Sequence, residues 1–241
     1  MEFCQFNQLL YDCFEENSLD HLLNEEKSQK LYGYANLLIE TNKHMNLTAI
    51  TDMEGIIFKH FADSAKLCDY ISENKSVIDV GCGAGFPSLV LAILRPDLQV
   101  TALDSTAKKT VFIANCARNL NVSNIKTVAA RAEEFAQNNR ESFDFATSRA
   151  VARLNVLCEL CIPLVKVGGS FVPLKASKAQ EEINEAKNGI KLLGASLSKS
   201  NEYNLTSNDE SLERCIFEIK KNIHTNKKYP RTYSQILKKP L

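Results

Sequence analysis

The 241-residue sequence lacks several features by which large classes of protein are recognised. Its formal net charge at pH 7 is zero, so overall basicity does not indicate a nucleic-acid partner. No apolar run reaches the length of a transmembrane helix. The start, Met1-Glu2-Phe3-Cys4, lacks the basic residues and long apolar core of a signal peptide. We therefore expect a cytoplasmic protein with no membrane partner.

The eight cysteines also lack the spacing of a metal site. Cys158 and Cys161 form a C-x-x-C pair, but no second pair and no His-x-His segment accompanies it. We expect free thiols in a reducing cytosol, with this pair on a core helix and no bound metal. A zinc or redox role for the pair is the alternative.

Acidic residues are absent from the sequence after Glu218. The basic residues beyond that point are Lys220, Lys221, Lys227, Lys228, Arg231, Lys238 and Lys239. The beginning of the chain is acidic by comparison. This asymmetry suits an anionic partner held at the C-terminal end, although a solvated tail is an equally good interpretation.

The most informative stretch runs from Val77 to Pro87, where an apolar segment leads into three glycines and then into a helix-forming run. The pattern predicts a strand, a tight turn and a helix. Glycine permits positive φ and close approach of a ligand to the backbone, and the helix start offers free N–H groups. Asp104 ends the next predicted strand, roughly 20 residues on, where a carboxylate can hold the ribose hydroxyls of an adenosine cofactor.

The glycine spacing favours one adenosine cofactor over another. Gly81, Gly83 and Gly85 form G-x-G-x-G, whereas dinucleotide sites usually show G-x-G-x-x-G. S-adenosylmethionine suits the shorter pattern because it has no pyrophosphate to lay along the helix start. Asp79, inside the strand, is a candidate for the amino group of that ligand. A purely structural turn with a buried aspartate is the alternative.

The chain is predicted to fold as α/β, with three parts. Residues 1–72 show helical apolar faces and form an N-terminal helical extension that should pack on the sheet edge. Residues 73–222 form the cofactor-binding domain, and residues 223–241 a basic tail. Seven strands are predicted at 76–81, 98–104, 125–129, 143–148, 169–175, 190–198 and 213–221. Helices are predicted at 84–94, 106–120, 132–138, 153–166 and 178–188. This alternation indicates a mostly parallel sheet, with the last two strands antiparallel.

Ligands of such sheets bind at the carboxyl ends of the strands, which makes the strand ends a list of candidates. Asp104 and Ser105 end the second strand. Ala132 and Glu133 follow the third, where they could meet the adenine edge, although an acid-rich helix start is an equal alternative for Glu133. Arg149 and Lys175 follow the fourth and fifth strands. Burying a cation is costly, so we predict catalytic roles for both. Pro173, just before Lys175, cannot donate to the sheet and belongs at an edge or a bulge.

Two motifs for base methylation are missing from these strand ends. There is no Asn/Asp-Pro-Pro-aromatic segment, which amino-group methylation usually needs, and no cysteine nucleophile for a pyrimidine carbon. Guanine N7 has a free lone pair in the ring plane, so its methylation requires alignment rather than deprotonation. Cations without an obvious base suit that reaction.

Several short motifs carry a specific resemblance when they are taken together. They are Asn46-Leu47-Thr48-Ala49-Ile50, His60-Phe61-Ala62-Asp63-Ser64, the loop from Asp79 to Pro87, Asp104-Ser105, Arg131-Ala132-Glu133-Glu134, Ser148-Arg149-Ala150, Leu174-Lys175 and Tyr229-Pro230-Arg231. Their order and spacing resemble the bacterial ribosomal RNA small subunit methyltransferase G family, also called the glucose-inhibited division protein B family. The resemblance covers nearly the whole chain.

The resemblance implies a class I S-adenosylmethionine-dependent methyltransferase with a Rossmann-like sheet of seven strands. It implies methyl transfer to N7 of guanine 527 of 16S rRNA, with the RNA or the small ribosomal subunit as partner and a monomeric enzyme. The implied cofactor contacts are Gly81, Phe86, Ala132, Glu133 and Arg149. Asp79 and Asp104 match acidic positions of the general pattern. The implied RNA-binding residues are Lys175, Arg214 and Arg231.

The sequence departs from the family pattern in three places. Ala176 stands where a glycine is usual, Pro173 lies inside the fifth strand, and residues 232–237 replace a Gly/Pro-containing tail. Two other functions stay open. A small-molecule methyltransferase would ignore RNA and tolerate loss of residues 220–241. A dinucleotide-binding regulator would bind an NAD-type ligand, although the glycine spacing and the terminal strand pair argue against it.

Overall fold

The sheet at the centre of the molecule has a hydrophobic core on each face. The structure, a computed structural model, describes residues 1–149, 151–176, 178–207 and 210–241. Ala150, part of one motif that carries the resemblance, lies outside the described residues. Alternate residues of each strand point to opposite faces. Accordingly, Val77 packs in one core and its neighbours Ile78 and Val80 pack in the other.

Within the described residues, the sheet contains eight strands in the order β3-β2-β1-β4-β5-β8-β6, with β7 paired to β8. The strands are β1 (Ser76–Val80), β2 (Gln99–Asp104), β3 (Ile125–Ala129), β4 (Phe143–Thr147), β5 (Val165–Phe171), β6 (Leu174–Lys175), β7 (Ala195–Ser207) and β8 (Glu210–Lys221). Strands β1 to β5 run parallel, and β8 runs antiparallel to β5, β6 and β7. The strand order reverses next to β1, so the carboxyl ends of β1 and β4 border a crevice.

Helices cover both faces of this sheet. They are α1 (Phe3–Glu16), α2 (Glu25–Met45), α3 (Met53–Ile56), α4 (Asp63–Ala65), α5 (Ser88–Leu94), α6 (Ala107–Asn119), α7 (Ala132–Asn138), α8 (Leu154–Cys161), α9 (Ala179–Leu192) and α10 (Tyr233–Lys238). A π-helical turn, Ile57–Ala62, joins α3 to α4. No helix in the described part of the chain is both long and apolar enough to cross a membrane.

The N-terminal helices pack on the edge strand β7, as predicted, and also reach the glycine loop. At the edge, the Asn17 side-chain amide donates to the Thr206 carbonyl oxygen at 2.6 Å and accepts from the Thr206 N–H at 3.0 Å. On the other side, the buried Tyr34 hydroxyl donates to the Ala84 carbonyl oxygen at 2.6 Å. The extension is therefore one wall of the crevice rather than a separate compact unit.

The C-terminal tail folds back onto the domain. The Arg140 guanidinium donates to the carbonyl oxygens of Thr225 and Tyr229, and Ile236 of α10 is fully buried. Arg231 pairs with the buried carboxylate of Glu159 on α8, with 2.6 Å between Nη2 and Oε2. The tail is therefore docked on the domain, while the side chains of Lys227, Lys228, Lys238 and Lys239 are exposed to solvent.

Two predicted strands need correction. The fifth strand is interrupted at Val172–Pro173, because proline has no N–H to give to the sheet, and the remainder forms the separate strand β6. This interruption makes eight strands out of the predicted seven. The strand predicted at 190–198 is wrong at both ends, because α9 continues to Leu192, β7 begins at Ala195 and it extends to Ser207. The antiparallel pairing predicted for the last two strands is confirmed.

Candidate active site

A cavity of about 540 Å³ lies at the carboxyl ends of β1, β2 and β4. Eight predicted site residues line it, namely Gly81, Gly83, Phe86, Asp104, Ser105, Ala132, Glu133 and Arg149. Five other predicted residues are not part of its lining, namely Asp79, Gly85, Lys175, Arg214 and Arg231. Eight of the thirteen predicted residues therefore lie in the cavity wall, and the five exceptions have individual structural reasons.

The glycine loop is tied to the end of β2. The N–H groups of Gly81 and Cys82 both donate to the Leu103 carbonyl oxygen, at 2.7 and 3.0 Å. Gly81 has φ +77°, and a Cβ at this position would lie 2.4 Å from Val151 Cγ2. Glycine is therefore required both by the backbone conformation and by the close approach of the opposite wall.

Asp104 anchors the same loop from the second strand. Its Oδ2 accepts from the Gly83 N–H at 3.1 Å, and its Oδ1 accepts from the Thr106 N–H at 2.8 Å. Each carboxylate oxygen can accept a second hydrogen bond. The side chain lines the cavity, so both oxygens can also receive the hydroxyl groups of a ribose.

Asp79 lies fully buried beneath the loop rather than on the cavity surface. Its Oδ2 accepts from the Ser88 N–H at 3.1 Å, whereas its Oδ1 has no partner among the residues that the structure describes. Burial raises the pKa of Asp79 to about 7, against the lowering effect of its contacts with Ser88. A buried acceptor without a donor is costly. A cationic ligand group above it would remove that cost, so the site fits the amino group of S-adenosylmethionine.

Gly85 serves packing instead of lining the cavity. Its φ is +106°, and a Cβ there would lie 2.7 Å from the Tyr34 hydroxyl oxygen. The residue leaves room for the N-terminal wall to dock on the loop. Its predicted role as a cofactor contact is therefore not favoured by the geometry.

The guanidinium group of Arg149 is hydrogen-bonded to the N-terminal wall. Nη1 donates to the Lys59 carbonyl oxygen and to Asp63 Oδ2, both at 2.9 Å, and Nη2 donates to His60 Nδ1 at 3.0 Å. The guanidinium carbon lies 5.3 Å from the centre of the Phe86 ring, within cation–π range. Arg149 thus joins strand β4 to the helical extension at the cavity.

His60 is a lining residue to which no role was assigned from the sequence. Its ring stacks on Phe86 with 4.2 Å between centroids and a 24° angle between the planes. Burial, with a smaller contribution from Arg149, lowers the pKa of His60 to about 3, so the ring is neutral at physiological pH. The sequence could have pointed to His60. It lies three positions before Asp63 in one helical segment, so the two side chains share a face.

The C-terminal tail contributes a second lining residue that sequence reasoning missed. Tyr233 begins α10 and lines the cavity on the side of Ala132 and Glu133. The Arg131 guanidinium carbon lies 5.8 Å from the centre of its ring. No local motif could have placed this residue there, since it depends on the fold of the last 20 residues.

Lys175 is buried away from the cavity. Its Nζ donates to the Ala152 carbonyl oxygen at 2.7 Å and lies 2.8 Å from Glu182 Oε2. The same carboxylate oxygen accepts from the Leu154 N–H at 2.7 Å, at the start of α8. Lys175 therefore braces α8 against α9, and its predicted catalytic role is not favoured.

The other two predicted basic residues are also engaged within the chain. Arg231 forms its ion pair with Glu159, so an RNA contact would require breaking a pair whose carboxylate is fully buried. Arg214 Nε donates to Asp63 Oδ1 at 3.0 Å, so Asp63 bridges it to Arg149. Arg214 also lines a second cavity of about 340 Å³, between α9 and the β7–β8 hairpin.

The C-x-x-C pair lies within helix α8, and both thiols are fully buried. Burial raises the pKa of Cys158 and of Cys161 well above the usual range of a thiol. Neither group lines the cavity, and a thiol in this state is a poor nucleophile and a poor metal ligand.

The model of the family described as rRNA small subunit methyltransferase G matches residues 27–212. The chain belongs to this family. As a member it is an S-adenosylmethionine-dependent methyltransferase, which confirms the predicted family, cofactor and enzyme class.

Individual relatives in the methyltransferase G family are similar over nearly their whole length. A ribosomal RNA small subunit methyltransferase G of Staphylococcus carnosus is 44% identical over 227 residues, covering 92% of this chain and 94% of the relative. One of Clostridium perfringens is 45% identical over 222 residues, covering 90% and 92%.

Solved structures confirm the predicted methyltransferase fold, although they are distant in sequence. The crystal structure of M. jannaschii TYW2 in complex with AdoMet superposes with a TM-score of 0.57 at 15% identity, covering 73% of this chain and 80% of that one. A putative methyltransferase of Bacillus halodurans superposes with a TM-score of 0.52 at 15% identity, covering 67% and 100%. At this identity the likeness shows the fold alone.

Proposed function

We propose that this protein transfers a methyl group from S-adenosylmethionine to N7 of a guanine in 16S rRNA, and that the target is guanine 527. One observation carries the proposal. The cofactor-type cavity at the strand ends is also lined by Phe86, His60 and Arg149, which give it an aromatic and cationic wall suited to a flat base.

The cofactor would be held by the loop and its neighbours. Asp104 would accept from the ribose hydroxyls, and Ser105 adds a hydroxyl beside it. Ala132 and Glu133 would meet the adenine edge opposite Tyr233. Asp79 would face the amino group from beneath the glycine loop. When bound, the cofactor supplies an electrophilic methyl group on a sulfonium.

The acceptor wall has the properties that N7 methylation requires. His60 is neutral, and both of its ring nitrogens already contact protein groups, so it is not a free base. Arg149 is a permanent cation fixed by three acceptors. Since guanine N7 carries no proton, a site that aligns the base and excludes water is sufficient.

RNA binding would use exposed cations rather than the paired ones. The side chains of Lys227, Lys228, Lys238 and Lys239 are exposed on the tail that flanks the cavity. Arg214 lines the second cavity but is already paired with Asp63, so it is not among these exposed cations. We expect binding that weakens steeply as salt concentration rises.

The test is to incubate the purified protein with methyl-labelled S-adenosylmethionine and small ribosomal subunits from cells that lack this gene. The labelled nucleotide is then identified and mapped. We expect one N7-methylguanine at position 527. The matched control uses subunits from cells that carry the gene, which should accept no label. Label at another base would contradict the proposal. So would a parallel assay with a cell extract in which only small molecules became labelled.

A further inference from the structure

The loop after α2 holds Thr48 rigidly at the cavity. The Asn42 side-chain oxygen accepts from the N–H groups of Leu47 and Thr48, and its amide donates to the Thr48 carbonyl oxygen at 2.8 Å. Asn46 allows the sharp turn with φ +45°. Both Leu47 and Thr48 line the cavity. The Thr48 hydroxyl is therefore presented in one orientation before any substrate arrives.

The contact with Arg149 determines which ring nitrogen of His60 carries the proton. A guanidinium can only donate, so the 3.0 Å contact between Arg149 Nη2 and His60 Nδ1 requires an unprotonated Nδ1. The Lys59 carbonyl oxygen also lies 3.1 Å from Nδ1 and accepts from Arg149 Nη1, but a proton on Nδ1 would face the Nη2 donor of Arg149. A neutral His60 must then carry its proton on Nε2.

The Nε2 proton in turn fixes the role of the Thr48 hydroxyl. His60 Nε2 lies 2.9 Å from Thr48 Oγ1 and donates to it, and the Ile50 N–H donates to the same oxygen at 3.1 Å. A hydroxyl oxygen accepts two hydrogen bonds, so Thr48 Oγ1 has no acceptor capacity left. Its own proton has no acceptor among the residues that the structure describes. Thr48 is thus a fixed donor at the cavity wall.

We infer that Thr48 donates its hydroxyl proton to O6 of the target guanine and thereby selects guanine over adenine. The inference rests on the proposed function. N7 and O6 are the two acceptors on one edge of guanine, whereas adenine places an amino group at the position of O6. A donor that cannot become an acceptor would hold O6 and leave the amino group of adenine facing another donor.

The experiment compares two acceptor RNAs that differ only at the target base. One carries guanine and the other 2-aminopurine, which lacks O6 but keeps N7. The ratio of kcat/KM for the two RNAs is measured for wild type, Thr48→Val, which removes the hydroxyl, and Thr48→Ser, which keeps it. The exposed neighbour Thr51→Val is the matched control. Cofactor affinity, measured by calorimetry, shows whether each variant has a folded cavity.

We expect Thr48→Val to lower the guanine-to-2-aminopurine ratio about tenfold, while Thr48→Ser and Thr51→Val keep it within about twofold of wild type. An unchanged ratio in Thr48→Val would overturn the inference. A second test needs no variant, because nitrogen NMR of the wild type should find the His60 proton on Nε2, and a proton on Nδ1 would also overturn it. If wild type labels no guanine at all, the proposed function fails as well, and that outcome is distinct from an unchanged ratio.

Discussion

The cavity has two walls that differ in how the chain builds them. The cofactor wall comes from neighbouring strand ends, namely the β1 to α5 unit, Asp104 and Ser105 at the end of β2, and Ala132 and Glu133 after β3. The acceptor wall is assembled from distant segments, with Thr48 and His60 from the helical extension and Arg149 from the end of β4. Tyr233, near the end of the chain, closes the cofactor side.

The difference separates a general function from a specific one. The cofactor wall relies on backbone geometry and on carboxylates with backbone partners, which any acceptor chemistry can share. The acceptor wall relies on side chains that hold one another across the fold, such as the Arg149–Asp63–Arg214 bridge. Variants in the two walls should therefore change different measurements, namely cofactor affinity and methyl transfer.

The largest effect is expected from Arg149→Ala, which removes the link between the walls. Transfer to RNA should fall about 100-fold or more, because His60 and Phe86 lose the group that fixes them. Cofactor affinity, measured by calorimetry, should change less than about threefold. The protein should stay folded because Asp63 keeps its bond from Arg214. Arg153→Ala, an exposed arginine outside the cavity, is the control. Unimpaired transfer by Arg149→Ala would remove the assignment.

Asp104→Ala is expected to lower cofactor affinity more than methyl transfer, the reverse of Arg149→Ala. The variant loses the anchor of the glycine loop at Gly83 and the proposed ribose contact, so cofactor affinity should fall about 30-fold by calorimetry. At saturating cofactor, transfer should largely recover. Asp97→Ala, which removes a carboxylate paired with Arg95 away from the cavity, should leave the affinity unchanged. Equal affinities in the two variants would show that the ribose lies elsewhere.

Cofactor affinity is expected to depend on pH because of Asp79. Burial raises its pKa to about 7, so the free protein gains stability from this group at low pH and loses it as the pH rises from about 4 through 7. The cationic amino group of the cofactor needs the ionised form. Cofactor affinity should therefore fall about tenfold between pH 8 and pH 6. Asp79→Asn should bind more weakly and lose this dependence, and a wild type without it would contradict the placement of the amino group.

The smallest effect is expected from Tyr233→Ala, on the tail. Loss of the ring should weaken cofactor binding about fivefold, as for an aromatic contact. The salt dependence of RNA binding should not change. Leu237→Ala, at an exposed position of the same helix, is the control. If Tyr233→Ala weakened RNA binding and left cofactor affinity unchanged, the tail would belong to the acceptor side.

Much of the fold was predictable because its signals are local. The G-x-G-x-G turn, the following helix and the carboxylate at the end of β2 lie where the pattern places them. Pro173 also marked a real interruption, although its consequence, a separate strand β6, depends on pairing with β8. Helix α9 was predicted too short because its last turn contains β-branched and apolar residues that suit a strand equally well.

The basic residues show which contacts cannot be predicted from the sequence. Lys175, Arg231 and Lys221 are cations in the chain but are paired with carboxylates or carbonyl oxygens in the fold. A partner such as Glu182 or Glu159 is distant in sequence, so composition cannot reveal the pairing. The same reason hid Tyr233, whose position depends on how the whole tail docks.

The most direct test of the two-wall account is a crystal structure with S-adenosylhomocysteine, the demethylated cofactor. The account predicts the ribose hydroxyls on Asp104, the amino group above Asp79 and the adenine between Glu133 and Tyr233, with the sulfur facing Phe86. A ligand bound elsewhere, or a sulfur turned away from the Phe86 and Arg149 wall, would contradict it.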